Sequence, residues 1–147
     1  MGTWGVTAFE DDTAMDFYDG FCSEEQSVEQ LSSLLDKVLS TTYNMDDLLM
    51  EGFTEPVRAL VAAEIVAAVL GNPVDSLPNK EYHEAGVPAL NIDLLYPAVN
   101  SDVVDKASAT VSKLIDAKEI HLSVLWQESD SYDEWKTYLH DLISRLQ

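Results

Sequence analysis

Hydrophobic side chains recur along most of this chain at steps of three and four residues, which is the spacing of one face of an α-helix. The alternation of apolar and polar residues that marks a half-buried strand is hard to find. In chain order, the predicted helices cover residues 12–22, 23–40, 54–70, 101–117 and 119–128 and a last helix after Ser131, with short elements at 45–51, 80–85 and 90–96. The pattern therefore predicts an all-α fold, an irregular single-domain bundle of about five to seven helices.

The segment from Thr54 to Leu70 is the most apolar of the predicted helices. Thr54 is suited to cap its start, and Gly71 and Pro73 are suited to end it. Because its hydrophobic residues face nearly every direction, we expect this helix at the centre of the bundle. Glu64 in its middle is the exception, since a carboxylate at that position must lie at the surface, pair internally or have a function.

Polar residues at two later positions are predicted to start helices. Ser101 is interpreted as the N-cap of helix 101–117, and Ser131 with Glu134 has the spacing of a capping box for the last helix. The last helix is predicted to bury the apolar stripe Trp135, Tyr138, Leu139, Leu142 and Leu146. Its other faces are polar, which is the pattern of a helix packed on a core from one side.

Length and composition fit one folded domain that covers residues 1–147, because 46% of the residues are hydrophobic. No stretch approaches the roughly 20 apolar residues that a bilayer crossing needs. No basic region followed by a hydrophobic one opens the chain, so no secretory signal is predicted. The lone Cys22, beside Phe21, suits a reducing compartment and is interpreted as a small core residue rather than a nucleophile. We therefore expect a cytoplasmic protein without membrane contact.

Charge changes this picture most, because 27 Asp and Glu residues against 8 Lys and Arg give a formal net charge of −19 at pH 7. From Glu10 to Glu55 there are 13 carboxylates and one cation, Lys37. Such a surface repels phosphates and anionic lipid, attracts cationic partners and accelerates encounters with them. Nucleic-acid binding is disfavoured, because eight dispersed cations cannot form the basic stripe that phosphate contacts require.

Some of these carboxylates have predicted local roles. Asp12 is interpreted as the N-cap of the first helix, and Glu24 and Glu25 fall in the first turn of helix 23–40, where they favour the helix dipole. The others have no such role, and like charges this dense destabilise the compact state. We therefore predict that acids of the N-terminal third bind a partner. The predicted partner-binding residues are Asp11, Asp12, Asp16, Asp19, Glu24, Glu25, Asp46, Asp47 and Glu51.

The sequence carries no recognisable catalytic or cofactor motif. No pair among His83, His121 and His140 shares helical spacing with a carboxylate in the way that zinc binding requires. The twelve-residue calcium loop and the glycine-rich phosphate loop are also absent from the sequence. We predict no metal, no cofactor and no enzymatic activity. The enzyme alternative is a hydrolase or metal-dependent enzyme that uses Glu64 or the Asp11-Asp12-Asp16 cluster.

Three blocks of the sequence resemble a known family. They are Met1-Gly2-Thr3-Trp4-Gly5 with Phe9-Glu10-Asp11-Asp12-Thr13-Ala14-Met15-Asp16-Phe17, then Ala62-Ala63-Glu64-Ile65-Val66-Ala67-Ala68 with Gly71 and Pro73, and Leu125-Trp126-Gln127-Glu128 with Trp135. Through them the chain resembles a family of small bacterial proteins known as domain of unknown function 4259. Phe17 stands where that family usually has Trp, and Asp11 where Asn is common. The resemblance implies no established activity, and a ligand pocket under Trp4 is an alternative to a structural role of the first block.

These observations favour a non-enzymatic binding protein whose acidic face neutralises a basic protein partner. The most concrete form of this hypothesis is an immunity protein that occludes a nuclease toxin, because a nuclease displays cations for phosphates. Besides the enzyme alternative, a helical scaffold could associate with itself through exposed aromatic residues such as Trp126 and Trp135. The oligomeric state is left open by the sequence.

Overall fold

In the computed structural model of the chain, the residues described are 9, 12–23, 26–40, 54–74, 90–116 and 126–147. These residues form six helices and no strand. The helices are α1 (Asp12–Ser23), α2 (Val28–Ser40), α3 (Thr54–Val69), α4 (Ile92–Leu95), α5 (Ser101–Asp116) and α6 (Tyr132–Arg145), and a 3₁₀ turn over Tyr96–Ala98 follows α4. The predicted all-α fold is confirmed.

Helix α3 lies at the centre of the described part of the bundle, as its apolar sequence predicted. It contacts each of the other five helices. Every residue from Pro56 to Val69 is buried except Arg58. A helix that is apolar on all sides has no face to expose to water, so the remaining helices must surround it.

The end of α3 follows from Gly71, as predicted. Gly71 has a φ of +93°, a conformation that side chains with a Cβ rarely adopt. Its N–H donates to the carbonyl oxygen of Ala68 at 3.0 Å, and the N–H of Asn72 donates to that of Ala67 at 2.9 Å. This pair of bonds is a Schellman motif, which satisfies carbonyl groups that the end of a helix leaves without partners.

The predicted start of α2 is wrong by five residues. The helix begins at Val28, so Glu24 and Glu25 precede it and its first turn contains Glu29. Gln26 lies just before this start, and its Nε2 donates to the carbonyl oxygen of Cys22 at 3.3 Å while its Oε1 accepts the N–H of Asn91 at 2.7 Å. These bonds tie Gln26 to the end of α1 and to the residue before α4.

One predicted N-cap is wrong, and another is correct in position but lacks the predicted side-chain bonds. The cap of α5 is Asn100, whose Oδ1 accepts the N–H of Val103 at 3.0 Å, and Ser101 is the first helical residue. Ser131 precedes α6, but its side chain accepts no capping bond. Its N–H donates to the hydroxyl of Ser129 at 3.2 Å, so the reciprocal bond that a capping box assigns to Glu134 has no donor. The predicted apolar stripe of α6 is buried in full.

Polar bonds join α5 to α2 beside the apolar contact. Lys113 Nζ donates to the carbonyl oxygens of Val38 and Leu39 at 2.6 and 3.2 Å, in the last turn of α2. The hydroxyl of buried Thr110 donates to the carbonyl oxygen of Lys106 within α5 at 2.8 Å and lies 3.4 Å from the carbonyl oxygen of Leu35 in α2. The ammonium group of Lys113 thus satisfies carbonyl groups at the C-terminal end of α2 and interacts favourably with the dipole of that helix.

Several predictions concern residues outside the described ranges. The predicted helices 45–51 and 80–85 and the proposed pocket under Trp4 fall there, as does most of the predicted helix 119–128, of which Trp126 and Gln127 are described as helical. Among the described helices, none has the length and apolar character required to cross a membrane.

Candidate functional site

The predicted partner-binding residues are only partly placed by the structure. Asp16 is exposed and Asp19 half-buried on α1, and Asp12 is the first residue of that helix. The predicted residues outside the described ranges are Asp11, Glu24, Glu25, Asp46, Asp47 and Glu51. The described members of the set therefore all lie on α1.

Asp16 borders a cleft of mixed charge. The cleft has a volume of about 460 Å³, and its walls include Phe17 and Leu34 together with the cations Lys37 and Arg58. Arg58 is the one exposed residue in the otherwise buried stretch of α3 from Pro56 to Val69. Asp16 thus faces neighbouring positive charge, and this part of α1 is less anionic than the sequence alone indicated.

Exposed carboxylates are instead spread over most of the described surface. Those on α2, α4 and α5 are Glu29, Asp36, Asp93, Asp102, Asp105 and Asp116. The second acidic cluster in the sequence is exposed as well, and it comprises Glu128, Asp130, Asp133 and Glu134. The sequence concentrates acids before residue 56, but the structure shows that the later acids also face solvent.

Most of the described cations are bound to groups of the protein itself. Lys106 Nζ lies 3.3 Å from Asp36 and 3.6 Å from Asp102, and these charges raise its pKa. Lys113 caps α2 and Lys136 lies 5.4 Å from the ring centroid of Tyr132. Arg145 pairs with two carboxylates. These contacts fix four of the six described cations to the bundle, but they leave the net charge unchanged, because Lys106 and Arg145 each offset carboxylates of the protein itself.

Glu64 belongs to a buried polar network between α3 and α6. Its side chain is 0% exposed, its Oε2 accepts the hydroxyl of Tyr138 at 2.6 Å, and its Oε1 accepts Nη1 of Arg145 at 2.7 Å. Arg145 also donates from Nε to Asp141 at 2.8 Å and from Nη1 to the carbonyl oxygen of Asn72 at 3.2 Å. Of the three roles that the sequence left open for Glu64, the structure shows internal pairing.

The network shifts the pKa of both partners. Burial raises the pKa of Glu64, and the bonds from Arg145 and Tyr138 oppose this rise without cancelling it. Burial lowers the pKa of Arg145, but the hydrogen bonds and charges of Glu64 and Asp141 more than offset this, so its pKa lies above the ordinary value. A carboxylate enclosed in this way has both oxygens occupied, and it holds α3 and α6 together.

Cys22 and Trp135 are also placed in the core. Cys22 is buried beside Tyr18, and burial raises the pKa of its thiol, which is the opposite of what a reactive cysteine needs. The prediction that Cys22 is a small core residue is confirmed. The suggestion that Trp135 is an exposed aromatic available for self-association is wrong, because Trp135 is buried and half-buried Trp126 stacks on it with ring centroids 5.8 Å apart.

Within the described ranges, no group of three or more His, Cys, Asp or Glu side chains is arranged to hold a metal ion. Comparison with curated proteins and with solved structures gives no match. The family model described as "Domain of unknown function (DUF4259)" matches residues 2–138. That match covers most of the sequence and, apart from Met1, all three blocks that carry the resemblance, and the chain belongs to the DUF4259 family.

Proposed function

We propose that this protein is a non-enzymatic binding protein that neutralises a basic protein partner. Its most concrete form is a cytoplasmic immunity protein that inhibits a nuclease toxin. The observation that carries the proposal is the disposition of charge: the formal net charge is −19, and exposed acids lie on α1, α2, α4, α5 and α6.

A nuclease is the partner class that this charge distribution fits most directly. An enzyme that binds a phosphate backbone presents clustered Lys and Arg side chains. A small anionic protein is drawn to such a surface by long-range attraction, and once bound it excludes the nucleic acid by occupying the same cations. Inhibition of this kind needs no catalytic group in the inhibitor.

The proposal is tested by capture from the cytosol of the source organism at low salt with the immobilised protein as bait. We expect recovery of a protein with an isoelectric point above about 9, as is usual for nucleic-acid-binding domains. Its affinity for the bait, measured with the two purified proteins, is expected to fall by about tenfold or more between low and high ionic strength. An equimolar amount of the bait is expected to abolish nuclease activity of the captured protein.

A bait with the exposed acids Glu29, Asp93 and Asp105 replaced by the corresponding amides serves as the matched control. These replacements keep the size of each side chain and remove three negative charges, so capture is expected to weaken. Recovery of no basic protein at low salt, or binding that does not respond to salt, would contradict the proposal.

A further inference from the structure

The described residues expose large hydrophobic side chains at one place only. Ile92 is 42% exposed, Leu94 56% and Tyr96 61%, and together they are all the large hydrophobic side chains that are exposed in the described ranges. Pro97 and Ala98, which follow directly, are exposed as well. We call these five residues the 92–98 apolar surface. Single exposed apolar residues are common, whereas here five exposed apolar residues fall within seven consecutive positions of the chain.

The 92–98 apolar surface is held firmly to the bundle. Leu95, in its middle, is buried in the core. Asn91 Oδ1 caps α4 by accepting the N–H of Leu94 at 3.1 Å, and the N–H of Asn91 donates to Gln26 between α1 and α2. The N–H of Val99 donates to the carbonyl oxygens of Leu95 and Tyr96, both at 3.2 Å. A surface fixed in advance loses little conformational entropy when a partner binds.

An open groove continues from this surface between α2 and α5. It has a volume of about 610 Å³ and is lined by Ala98 and Asn100 on one side and by Val28, Glu29 and Ser32 on the other. Asp36 and Lys37 of α2 also line it, so its wall carries two carboxylates and one ammonium group. Val103 of α5 also contributes to its wall. The groove gives apolar side chains of a partner a place beside Ala98 and brings them close to the carboxylate of Glu29.

The surroundings of the 92–98 apolar surface are acidic. Asp93, Asp102 and Asp105 are exposed, and residues 90–105 contain no Lys or Arg. The first cation after them, Lys106, is already paired with Asp36 and Asp102. Apolar anchors with a charged rim are the usual composition of a binding hot spot, and here the rim is negative. The complementary partner segment carries apolar side chains among Lys and Arg.

We infer that the 92–98 apolar surface and the adjoining groove dock a basic amphipathic segment of the protein partner, an inference that rests on the function proposed above. The carboxylates accelerate the encounter, and Leu94 and Tyr96 retain the bound segment by burying apolar area. One face of an amphipathic helix, with Leu and Lys at helical spacing, satisfies both requirements.

Three synthetic peptides of equal length serve as probes in calorimetric titrations at low salt: an amphipathic helical peptide of Lys and Leu, an oligolysine, and an amphipathic peptide of Glu and Leu. They are titrated into the wild-type chain and into the double variant Leu94→Ser/Tyr96→Ser. Both replaced residues are exposed, so thermal unfolding of the variant is expected to match the wild type. A second pair of variants, Asp93→Lys and Asp130→Lys, changes the net charge equally at two different places.

We expect the Lys/Leu peptide to bind the wild type and to lose about tenfold or more in affinity for the double variant, as removal of hot-spot side chains commonly causes. Weak binding of oligolysine is expected to be the same for both chains. Asp93→Lys is expected to weaken Lys/Leu binding more than Asp130→Lys does. The Glu/Leu peptide is expected not to bind.

Other outcomes separate this inference from the proposed function. Equal affinity of the Lys/Leu peptide for wild type and double variant would overturn the docking surface and leave the acidic binding function standing. Failure of both lysine peptides to bind the wild type would contradict the proposed function itself. Equal binding of the Glu/Leu peptide would show a purely apolar site, and dimerisation of the wild type that the double variant abolishes would identify a second copy of the chain as the occupant. Either result would contradict the inference that a basic segment docks on this surface.

Discussion

Replacement of Arg145 by methionine is expected to destabilise the protein strongly at pH 7 and only weakly at acidic pH. Arg145, whose side chain is 15% exposed, supplies the charge that faces the fully buried carboxylate of Glu64 at 2.7 Å. Methionine preserves much of the buried volume but removes that charge. Tyr138 then remains as the hydrogen-bond donor at 2.6 Å, which does not balance a negative charge.

The size of the effect follows from the protonation of Glu64. Without Arg145, the buried carboxyl group of Glu64 becomes neutral by binding a proton. Protonation of a glutamate with the ordinary pKa of 4.5 costs about 3.4 kcal/mol at pH 7 and about 1.4 kcal/mol at pH 5.5, because each pH unit corresponds to about 1.36 kcal/mol. These values are upper bounds on the charge penalty in the variant. The sign is that of an acid with a raised folded-state pKa, whose stability contribution falls as pH rises.

Urea unfolding of Arg145→Met at pH 7 and pH 5.5 measures this penalty, with Glu64→Gln/Arg145→Met as the reference. The reference differs from the single variant only by the ionisable group, since glutamine keeps the size of the side chain. We expect the single variant to be less stable than the reference by about 3 kcal/mol at pH 7 and by about 1 kcal/mol at pH 5.5. Equal stability of the two variants at pH 7, or a gap that does not narrow with acidification, would refute the assignment of Glu64 as a buried, charge-paired carboxylate.

Three further predictions concern stability. Gly71→Ala is expected to cost about 1–2 kcal/mol, because Gly71 has a φ of +93°. Gly20→Ala within α1 is expected to stabilise the protein by about 0.5–1 kcal/mol. Neither new Cβ meets an atom within 4 Å, so thermal unfolding of the two variants measures the backbone effect alone. Lys113→Met is expected to cost about 1 kcal/mol by removing the bonds to the last turn of α2, with faster amide exchange near Val38. The half-buried Lys136→Met control removes no hydrogen bond to a helix end and is expected to cost less than about 0.5 kcal/mol. Added NaCl is expected to raise the melting temperature, because salt screens the mutual repulsion of a chain with a net charge of −19; a lower melting temperature in salt would contradict this.

The parts of the fold that the sequence predicted are those specified by neighbouring residues. The apolar run and Gly71 determine α3 locally, and the result differs from the prediction by a single residue at the C-terminus. The stripe of α6 was likewise recognisable from its spacing, and that stripe already contradicted the suggestion that Trp135 is exposed. Helical periodicity places a side chain on a face, and a face that packs on the core buries it.

The features that the sequence did not predict depend on residues far apart in the chain. Arg145 lies 81 residues from Glu64, and Gln26 lies 65 residues from Asn91. Each bond is possible only after the helices have packed, so local propensity gave no indication of it. One pattern in the sequence did point to the pairing of Glu64. Tyr138 and Arg145 are seven residues apart and therefore share a face of α6. Glu64 is the single carboxylate in the buried run of α3 that this face contacts.

The central position of α3 has a consequence for how the chain is made. During synthesis this apolar helix leaves the ribosome before α5 and α6 exist to enclose it, so for a time it is the segment most prone to aggregate with other nascent chains. The 13 carboxylates between Glu10 and Glu55 have emerged by then. We expect the repulsion between these acidic N-terminal segments to keep neighbouring nascent chains apart until α6 has been synthesised and Arg145 pairs with Glu64.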